Sequence, residues 1–315
     1  MAALQEKPGV AIAEISVVIP VRNRCDVLVR CLTALAGQQG LGPDSMEVIV
    51  VDDGSDDSTG AIVETLASRF PWSLACVRQP ARGPAAARNR GLEAARGDLV
   101  LFINADTLAT PGLVAEHLAF HHCEPEAGWA LLGLFTWWPE LEITPFMRWA
   151  ERVWFKYDQL LSGRTEPDFT FFYTCNLSIK REFLLAHGVF DEEFRGPALE
   201  DTELGYRLAR QGLRLAFRPQ ALGYHDHPTD LASACRRMET VGRWAALIAR
   251  KVPPRLVIDH YWPSIVRLPG MRLAVRRLIE PAARRLERRL VCHSLYKLVA
   301  MTYYVRGLDQ GIPAE

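Results

Sequence analysis

The stretch Val48-Ile-Val-Val-Asp-Asp-Gly-Ser-Asp-Asp-Ser-Thr59 constrains this chain more than any other. Four apolar residues run together without polar alternation, which is the pattern of a strand buried on both faces, as in a parallel sheet. The run ends on two carboxylates, Asp52 and Asp53, followed by a Gly-Ser turn. In open α/β sheets the carboxyl ends of the strands are where ligands bind. Gly54 permits a tight turn, and Ser55 or Asp57 is placed to cap a following helix.

Two more segments repeat the design. Asp98-Leu-Val-Leu-Phe-Ile-Asn-Ala-Asp-Thr107 is a hydrophobic strand ending in Asn104 and Asp106. Ile15-Ser-Val-Val-Ile-Pro20 runs into Val21-Arg-Asn-Arg24. Between the two carboxylate strands, Gly83-Pro-Ala-Ala-Ala-Arg-Asn-Arg-Gly91 is Ala-rich with a helical period, and Pro84 suits a first turn. Three buried strands therefore deliver Pro20 to Arg22, Asp52/Asp53 and Asn104/Asp106 to one edge.

In this order the motifs resemble the family-2 glycosyltransferases. The resemblance continues through Asn176-Leu-Ser-Ile-Lys-Arg181, Gly188-Val-Phe-Asp-Glu-Glu-Phe194 and Glu200-Asp-Thr-Glu-Leu-Gly-Tyr-Arg-Leu208. It covers roughly residues 14 to 230; no single motif decides it, but their order and spacing do. It implies an α/β GT-A fold, a Rossmann-like mixed sheet flanked by helices. The expected layout is a tail over 1–13, a catalytic domain over 14–230 and a basic helical region over 231–315. The catalytic domain divides into a nucleotide-binding half, 14–107, and an acceptor half, 108–230.

The implied reaction is transfer of a hexosyl or deoxyhexosyl group from a nucleotide-diphosphate donor to a glycan or lipid-linked hydroxyl, with inversion at the anomeric centre. Pro20, Arg22 and one of Asp52 or Asp53 would line the nucleobase pocket. A carboxylate accepts the imide N–H of uracil or thymine, so UDP or dTDP donors are favoured, with GDP as the third choice. Arg88 would reach the diphosphate or buttress the donor loop. A divalent cation, Mg2+ or Mn2+, held by few protein ligands would neutralise the leaving diphosphate. Asp106 is the first-choice ligand, with Asn104 beside it in place of the usual acid, and His225 or His227 from Gly223-Tyr-His-Asp-His227 completing the site. Asp201 is the expected general base, with Glu200 supporting it. Two acids at a helix start also serve simply as dipole complements.

Residues 129–173 are rich in aromatics, most of them suited to a core. Trp137, Trp138, Tyr173 and Asn176 are the candidates for acceptor binding. The cluster His117, His121, His122 and Cys123 has the look of a zinc site, but an exposed helix end explains it better.

With 49% hydrophobic residues, a 315-residue chain can bury one large core plus an appendage. Seven scattered cysteines without a Cys-x-x-Cys pair fit reduced thiols in the cytoplasm. The sequence carries no secretory signal pattern and no apolar run of spanning length.

The zero net charge hides an asymmetry. Residues 243–307 hold 14 Lys/Arg and 3 Asp/Glu, a formal +11, which leaves −11 on the remainder. From Met271 to Val299, the apolar residues Val275, Ile279, Ala282, Leu286 and Leu290 recur at helical spacing among Arg276, Arg277, Arg284, Arg285, Arg288 and Arg289. Such a helix suits an anionic membrane surface on the inner face of the cytoplasmic membrane, or packing on the catalytic domain, or an oligomer contact. No nucleic-acid recognition motif is present. Envelope polysaccharide or glycolipid assembly of bacterial type is the expected setting. Two other readings stay open: a binding or scaffold protein on the same fold, with Asn104 marking lost catalysis, and a nucleotidyltransferase.

Overall fold

The computed structural model describes residues 13–253, 256, 269–290 and 292–311. Except for Ala13, the expected N-terminal tail lies outside the described residues.

Strands β1 (Ile15–Val21), β2 (Met46–Asp53), β3 (Ser73–Gln79) and β4 (Leu99–Ile103) pair in parallel, in the order β3-β2-β1-β4. All eight residues of β2 are buried. Helices cover both faces of this half, so successive side chains enter two different cores. Val18, Ile49, Val51, Val100 and Phe102 pack with Ala85, Ala87 and Leu92 of helix α3 (Pro84–Ala94). Val17, Ile19, Val48, Val50 and Leu101 pack with Leu28, Leu32 and Leu35 of α1 (Cys25–Ala36). Each such side chain contributes on the order of 1.5–3 kcal/mol when fully buried. α2 (Thr59–Ala67) connects β2 to β3.

Beyond β4 the sheet turns mixed. Short β5 (Thr107–Ala109) and α4 (Leu113–Cys123) lead to β6 (Trp129–Trp137). α5 (Pro145–Trp154), α6 (Tyr157–Leu161) and β7 (Asn176–Lys180) follow, then α7 (Arg181–His187), α8 (Glu200–Ala209) and the long β8 (Arg214–His225). β7 runs antiparallel to both β4 and β6, β8 is parallel to β6, and β5 closes against β8. The order is β3-β2-β1-β4-β7-β6-β8-β5. The ends of β4, β6 and β8 thereby bring Asn104/Asp106, Trp137 and His225 into one neighbourhood, with Thr107 paired to His225 and Trp137 to His225.

The helical extension begins at α9 (Leu231–Lys251), capped by a reciprocal Asp230/Ser233 box. It continues in α10 (Pro269–Ala274), a single π turn (Val275–Ile279), α11 (Glu280–Leu286) and α12 (His293–Gln310). α9 and α12 meet closely enough that a Cβ at Gly307 would lie 1.9 Å from the Glu239 carbonyl oxygen.

Two expectations for this region change. The amphipathic pattern read from Met271 to Val299 is divided among short segments, and the one that carries Ala282 ends at Leu286. The π turn adds one residue to the ladder, which rotates the inward face by one position. Val275 is buried as expected, but Ala283 is buried downstream in place of Ala282. Leu290, counted with the apolar face, is exposed beyond the end of that helix.

Candidate active site

A cavity of about 460 Å3 opens between the ends of β4, β6 and β8, the N-terminus of α8 and the flank of α9. Asn104, Asp106, Trp137, Tyr173, Glu200, Asp201, His225, His227 and Arg88 all line it, although they span more than 130 positions of sequence.

On one wall, Asp106 sits in a tight turn closed by Thr107, whose N–H donates to the Asn104 carbonyl at 3.1 Å. Asp106 Oδ2 lies 3.5 Å from both His225 Nε2 and Arg24 Nη1. Burial alone would raise the Asp106 carboxyl, but His225, Arg24 and His227 outweigh it and hold it below the usual carboxylate range. The His225 ring stacks on Trp137, with centroids 4.9 Å apart and planes at 16°. His227 Nδ1 is 3.2 Å from Arg24 Nη1. Asp106 Oδ1 and His225 Nδ1 are buried without a hydrogen-bond partner in the protein.

These orphaned atoms fit a divalent cation that takes one or two protein ligands and fills the rest of its shell from a phosphate. Among the described residues no group of three or more His, Cys, Asp or Glu forms a complete protein cage.

The opposite wall is the start of α8. Leu199, just before it, holds a left-handed backbone at φ 72°, a strained conformation for a Leu. That turn presents Glu200 and Asp201 to the cavity. Asp201 Oδ1 accepts the N–H of Thr202 at 2.7 Å. Burial, then the adjacent Glu200, push the Asp201 carboxyl up to about 6, against the opposing pull of Arg88. Glu200 is itself buried and ion-paired to Arg88 at 2.8 Å. Arg88 thus buttresses the acceptor half through Glu200.

The base-reading candidates gather on the neighbouring edge, where Val21 pairs with Asp52. There the geometry differs from an open pocket. Asp53 is occupied internally: its carboxylate accepts from Gln79 Nε2 and from the N–H groups of Arg82 and Gly83, at 2.7–2.8 Å. Those bonds set the loop into α3, where Gly83, at φ 94°, passes so near Arg195 that a Cβ would lie 2.2 Å from its carbonyl oxygen. Asp52 is fully buried, accepts the Ser55 N–H at 2.8 Å, and faces Arg78 Nε at 3.2 Å. Its Oδ2 accepts no hydrogen bond. Arg22 is exposed and Pro20 half-buried at the end of β1. None of these four lines the cavity.

Two acceptor candidates lie off the cavity. Asn176 is fully buried, donating to the carbonyls of Leu134 and Ala221 at 3.0 and 2.8 Å and facing His117 Nε2 at 3.0 Å. It bridges strands. Trp138 follows β6 beside the site, its N–H donating to the His225 carbonyl. The histidines of α4 do not form the exposed helix end expected: His117 and His121 are buried and both bond Ser178 Oγ in the core, and His122 alone of the three faces outward, toward Glu14.

Sequence reasoning missed Arg24, the basic partner of Asp106, and Arg237 of α9, which reaches the cavity beside Asp201. The one signal for Arg237 was the Asp230-x-x-Ser233 capping pattern, which starts α9 directly after His227.

The family described as "Glycosyl transferase family 2" matches residues 16–185, more than half of the 315-residue chain. The chain belongs to this family. A second description, "Glycosyltransferase like family 2", matches residues 145–254 and so reaches into α9. Among curated relatives, an uncharacterized glycosyltransferase of Bacillus subtilis is 29% identical over 69% of this chain and 66% of its own length. A pre-mycofactocin glycosyltransferase of Mycobacterium tuberculosis is 32% identical over 94% of this chain and 62% of its own length. The chain thus spans less than two thirds of the length of these relatives. A mannosyltransferase from Pyrobaculum calidifontis, solved with GDP-Man and Mn2+, superposes with a TM-score of 0.66 at 21% identity, covering 97% of this chain and 90% of that one. S. aureus TarS residues 1–349, solved with UDP, gives 0.56 at 18% identity, with 94% and 90% covered. The fold of this family-2 chain is GT-A.

Proposed function

We propose that the protein is an inverting, metal-assisted glycosyltransferase that uses a nucleotide-diphosphate sugar. The observation that carries this reading is the pairing of two walls across one cavity: Asp106 with His225 on one side, Asp201 at the head of α8 on the other. The relatives named as glycosyltransferases, and the neighbours solved with GDP-Man and Mn2+ or with UDP, support it.

The donor diphosphate lies against Asp106, His225 and Arg24. Asp106 and His225 would hold a divalent cation there, Mg2+ or Mn2+, with Asn104 and His227 nearby; the cation would supply charge neutralisation for the departing diphosphate. Asp201 accepts the proton of the acceptor hydroxyl. The acceptor oxygen bonds to the anomeric carbon as the carbon–phosphate-oxygen bond breaks, and that electron pair leaves with the nucleoside diphosphate. A carboxyl raised to about 6 is ionised at neutral pH yet more basic than an ordinary Asp, which suits this step. Trp137, Tyr173 and Arg237 frame the acceptor side.

UDP or dTDP sugars are the favoured donors, ahead of GDP sugars. Asp52 Oδ2, which accepts no hydrogen bond and is ion-paired to the 62% exposed Arg78 side chain at 3.2 Å, is the acceptor proposed for an imide N–H, and Arg78 would have to give way to the base. A glycan or lipid-linked hydroxyl is the proposed acceptor, and envelope assembly at the cytoplasmic face the proposed setting.

The test is nucleoside-diphosphate release by the purified protein from a panel of sugar nucleotides, with Mn2+ and with EDTA. One donor should be hydrolysed slowly, in a metal-dependent way, and stabilise the protein in thermal unfolding. Absence of both effects across the panel overturns the proposal and leaves a scaffold on the same fold.

A further inference from the structure

We propose that the exposed face of α10, the π turn and α11 docks on an anionic lipid bilayer. Among the described residues three large apolar side chains stand out of the fold here: Leu273 at 50%, Leu278 at 74% and, just past α11, Leu290 at 53% exposure. Around them Arg277, Arg285, Arg288 and Arg289 are exposed, and their side chains make no ion pair or hydrogen bond among the described residues. Leu278 lies in the π turn, Arg285 stands on α11, and Arg288 and Arg289 follow in the turn after Leu286.

The remaining arginines show what an internal role looks like. Arg284 ion-pairs with Glu280, whose carboxylate also accepts the Tyr303 hydroxyl at 3.0 Å. Arg272 pairs with Asp309, and Arg306 and Arg243 with Glu239. Glu287 is spent on the Leu231 N–H at 2.7 Å. Both neighbouring acids are therefore engaged, and four cations keep their charge. Arg276, Arg277 and Arg284 line an open cleft of about 490 Å3 together with Leu273, Pro281, Tyr303 and the paired Glu280.

Isolated leucines on a soluble surface are ordinary. Leucines interleaved with unpaired arginines match instead the interface of a bilayer with acidic headgroups, where acyl chains take the first and phosphates the second. Among the described residues no helix is long and apolar enough to cross a membrane, so attachment would be to the surface. The geometry also links this face to the cavity. Glu287 bonds the N-terminus of α9, and its carbonyl accepts the Phe146 N–H of α5. α5 and α9 supply Trp154 and Arg237 to the cavity wall. Docking on this face would therefore bear on α5 and α9, which carry part of the cavity wall.

The docking is measured without turnover, so failure of the transferase reading leaves it standing. The full chain is sedimented with vesicles of phosphatidylcholine alone and of phosphatidylcholine mixed with phosphatidylglycerol. Binding is expected only with the anionic vesicles at low salt, and lost at ~1 M salt, where the Debye length is ~3 Å. The variant Arg277→Gln/Arg285→Gln/Arg288→Gln/Arg289→Gln should bind at least about tenfold more weakly, with an unchanged circular dichroism spectrum. Leu278→Gln should weaken binding by itself and tests the apolar half independently if the quadruple variant misfolds. Wild-type protein that ignores anionic vesicles at low salt, a folded quadruple variant that binds as wild type, or equal binding to both vesicles overturns the proposal. Retention on duplex DNA without vesicle binding overturns it as well and assigns the face to nucleic acid.

Discussion

Arg88 and Glu200 form an ion pair at 2.8 Å across 112 positions of sequence, with both side chains only 6% exposed. One belongs to α3 in the nucleotide half, the other to the first turn of α8 in the acceptor half. The pair therefore joins the two halves at the wall that carries Asp201. Asn89, the next residue, adds a second clasp by exchanging hydrogen bonds at 2.9 Å with both backbone groups of Phe190.

Arg88→Met should unfold at lower urea than wild type. Removing one partner of a buried pair leaves the other charge uncompensated, typically at a loss of about 3–5 kcal/mol. Arg88→Met/Glu200→Gln should recover part of that loss, since neither charge is then stranded. Urea midpoints of the single and double variants check this. A single variant within about 0.5 kcal/mol of wild type would show that Glu200 escapes to water.

Asp201→Asn should lower transfer by at least about a hundredfold, within the general-base range, with donor binding near normal. It should also raise the thermal midpoint at neutral pH. The folded carboxyl is raised from 3.8 to about 6, so its ionised form is disfavoured in the native state. Its contribution to stability is most favourable below pH 3.8 and is lost as pH rises through 6; an amide escapes that loss. In the wild type, transfer should fall about tenfold per pH unit below 6. Near-wild-type turnover in Asp201→Asn would reduce this acid to a helix-end charge.

The α/β architecture was legible because Val48–Asp53 and Leu99–Ile103 are apolar without alternation, and Asp52 and Asp106 mark where each run stops. Asp106, Asp201 and His225 were legible for the same local reason: each follows a strand or opens a helix. Asn176 was not. A polar residue at the head of β7 looks like a ligand-facing group, and only the bulged pairing of β6 with β8, which leaves the Leu134 and Ala221 carbonyls needing donors, explains its burial. The internal bonds of Asp53 were not legible either, because backbone donors arriving from Arg82 and Gly83, about thirty residues on, leave no trace in spacing. The π turn at Val275–Ile279 likewise shifts a helical face that a regular period cannot foresee.

Asp106→Asn should keep the shape of the site and lose the metal-dependent part of nucleotide affinity. Calorimetry with UDP would show tighter binding by wild type with Mn2+ than with EDTA, by about tenfold or more, equivalent to at least about 1.4 kcal/mol. The variant should bind alike in both buffers. Equal affinities for wild type and variant under both conditions would remove Asp106 from any metal role.

The buried histidines of α4 predict how the fold fails in acid. Burial pushes His117 down to about 4 and His121 to about 3, against an ordinary value near 6.5. Lys180 and His122 add to the depression of His121, while the Asn176 carbonyl opposes that of His117. Both rings are therefore neutral in the native state, and only the unfolded chain takes up protons between pH 6.5 and 4. Their contribution is complete above about 6.5 and declines as pH falls through that window. The urea midpoint of the wild type should drop steeply from pH 6.5 to pH 4. His117→Gln should be less stable than wild type at pH 7, because it disturbs the bonds to Ser178 and Asn176, yet show a shallower decline below pH 6.5. Parallel curves for the two proteins across the window would mean that His117 is already protonated in the fold, and that acid acts elsewhere.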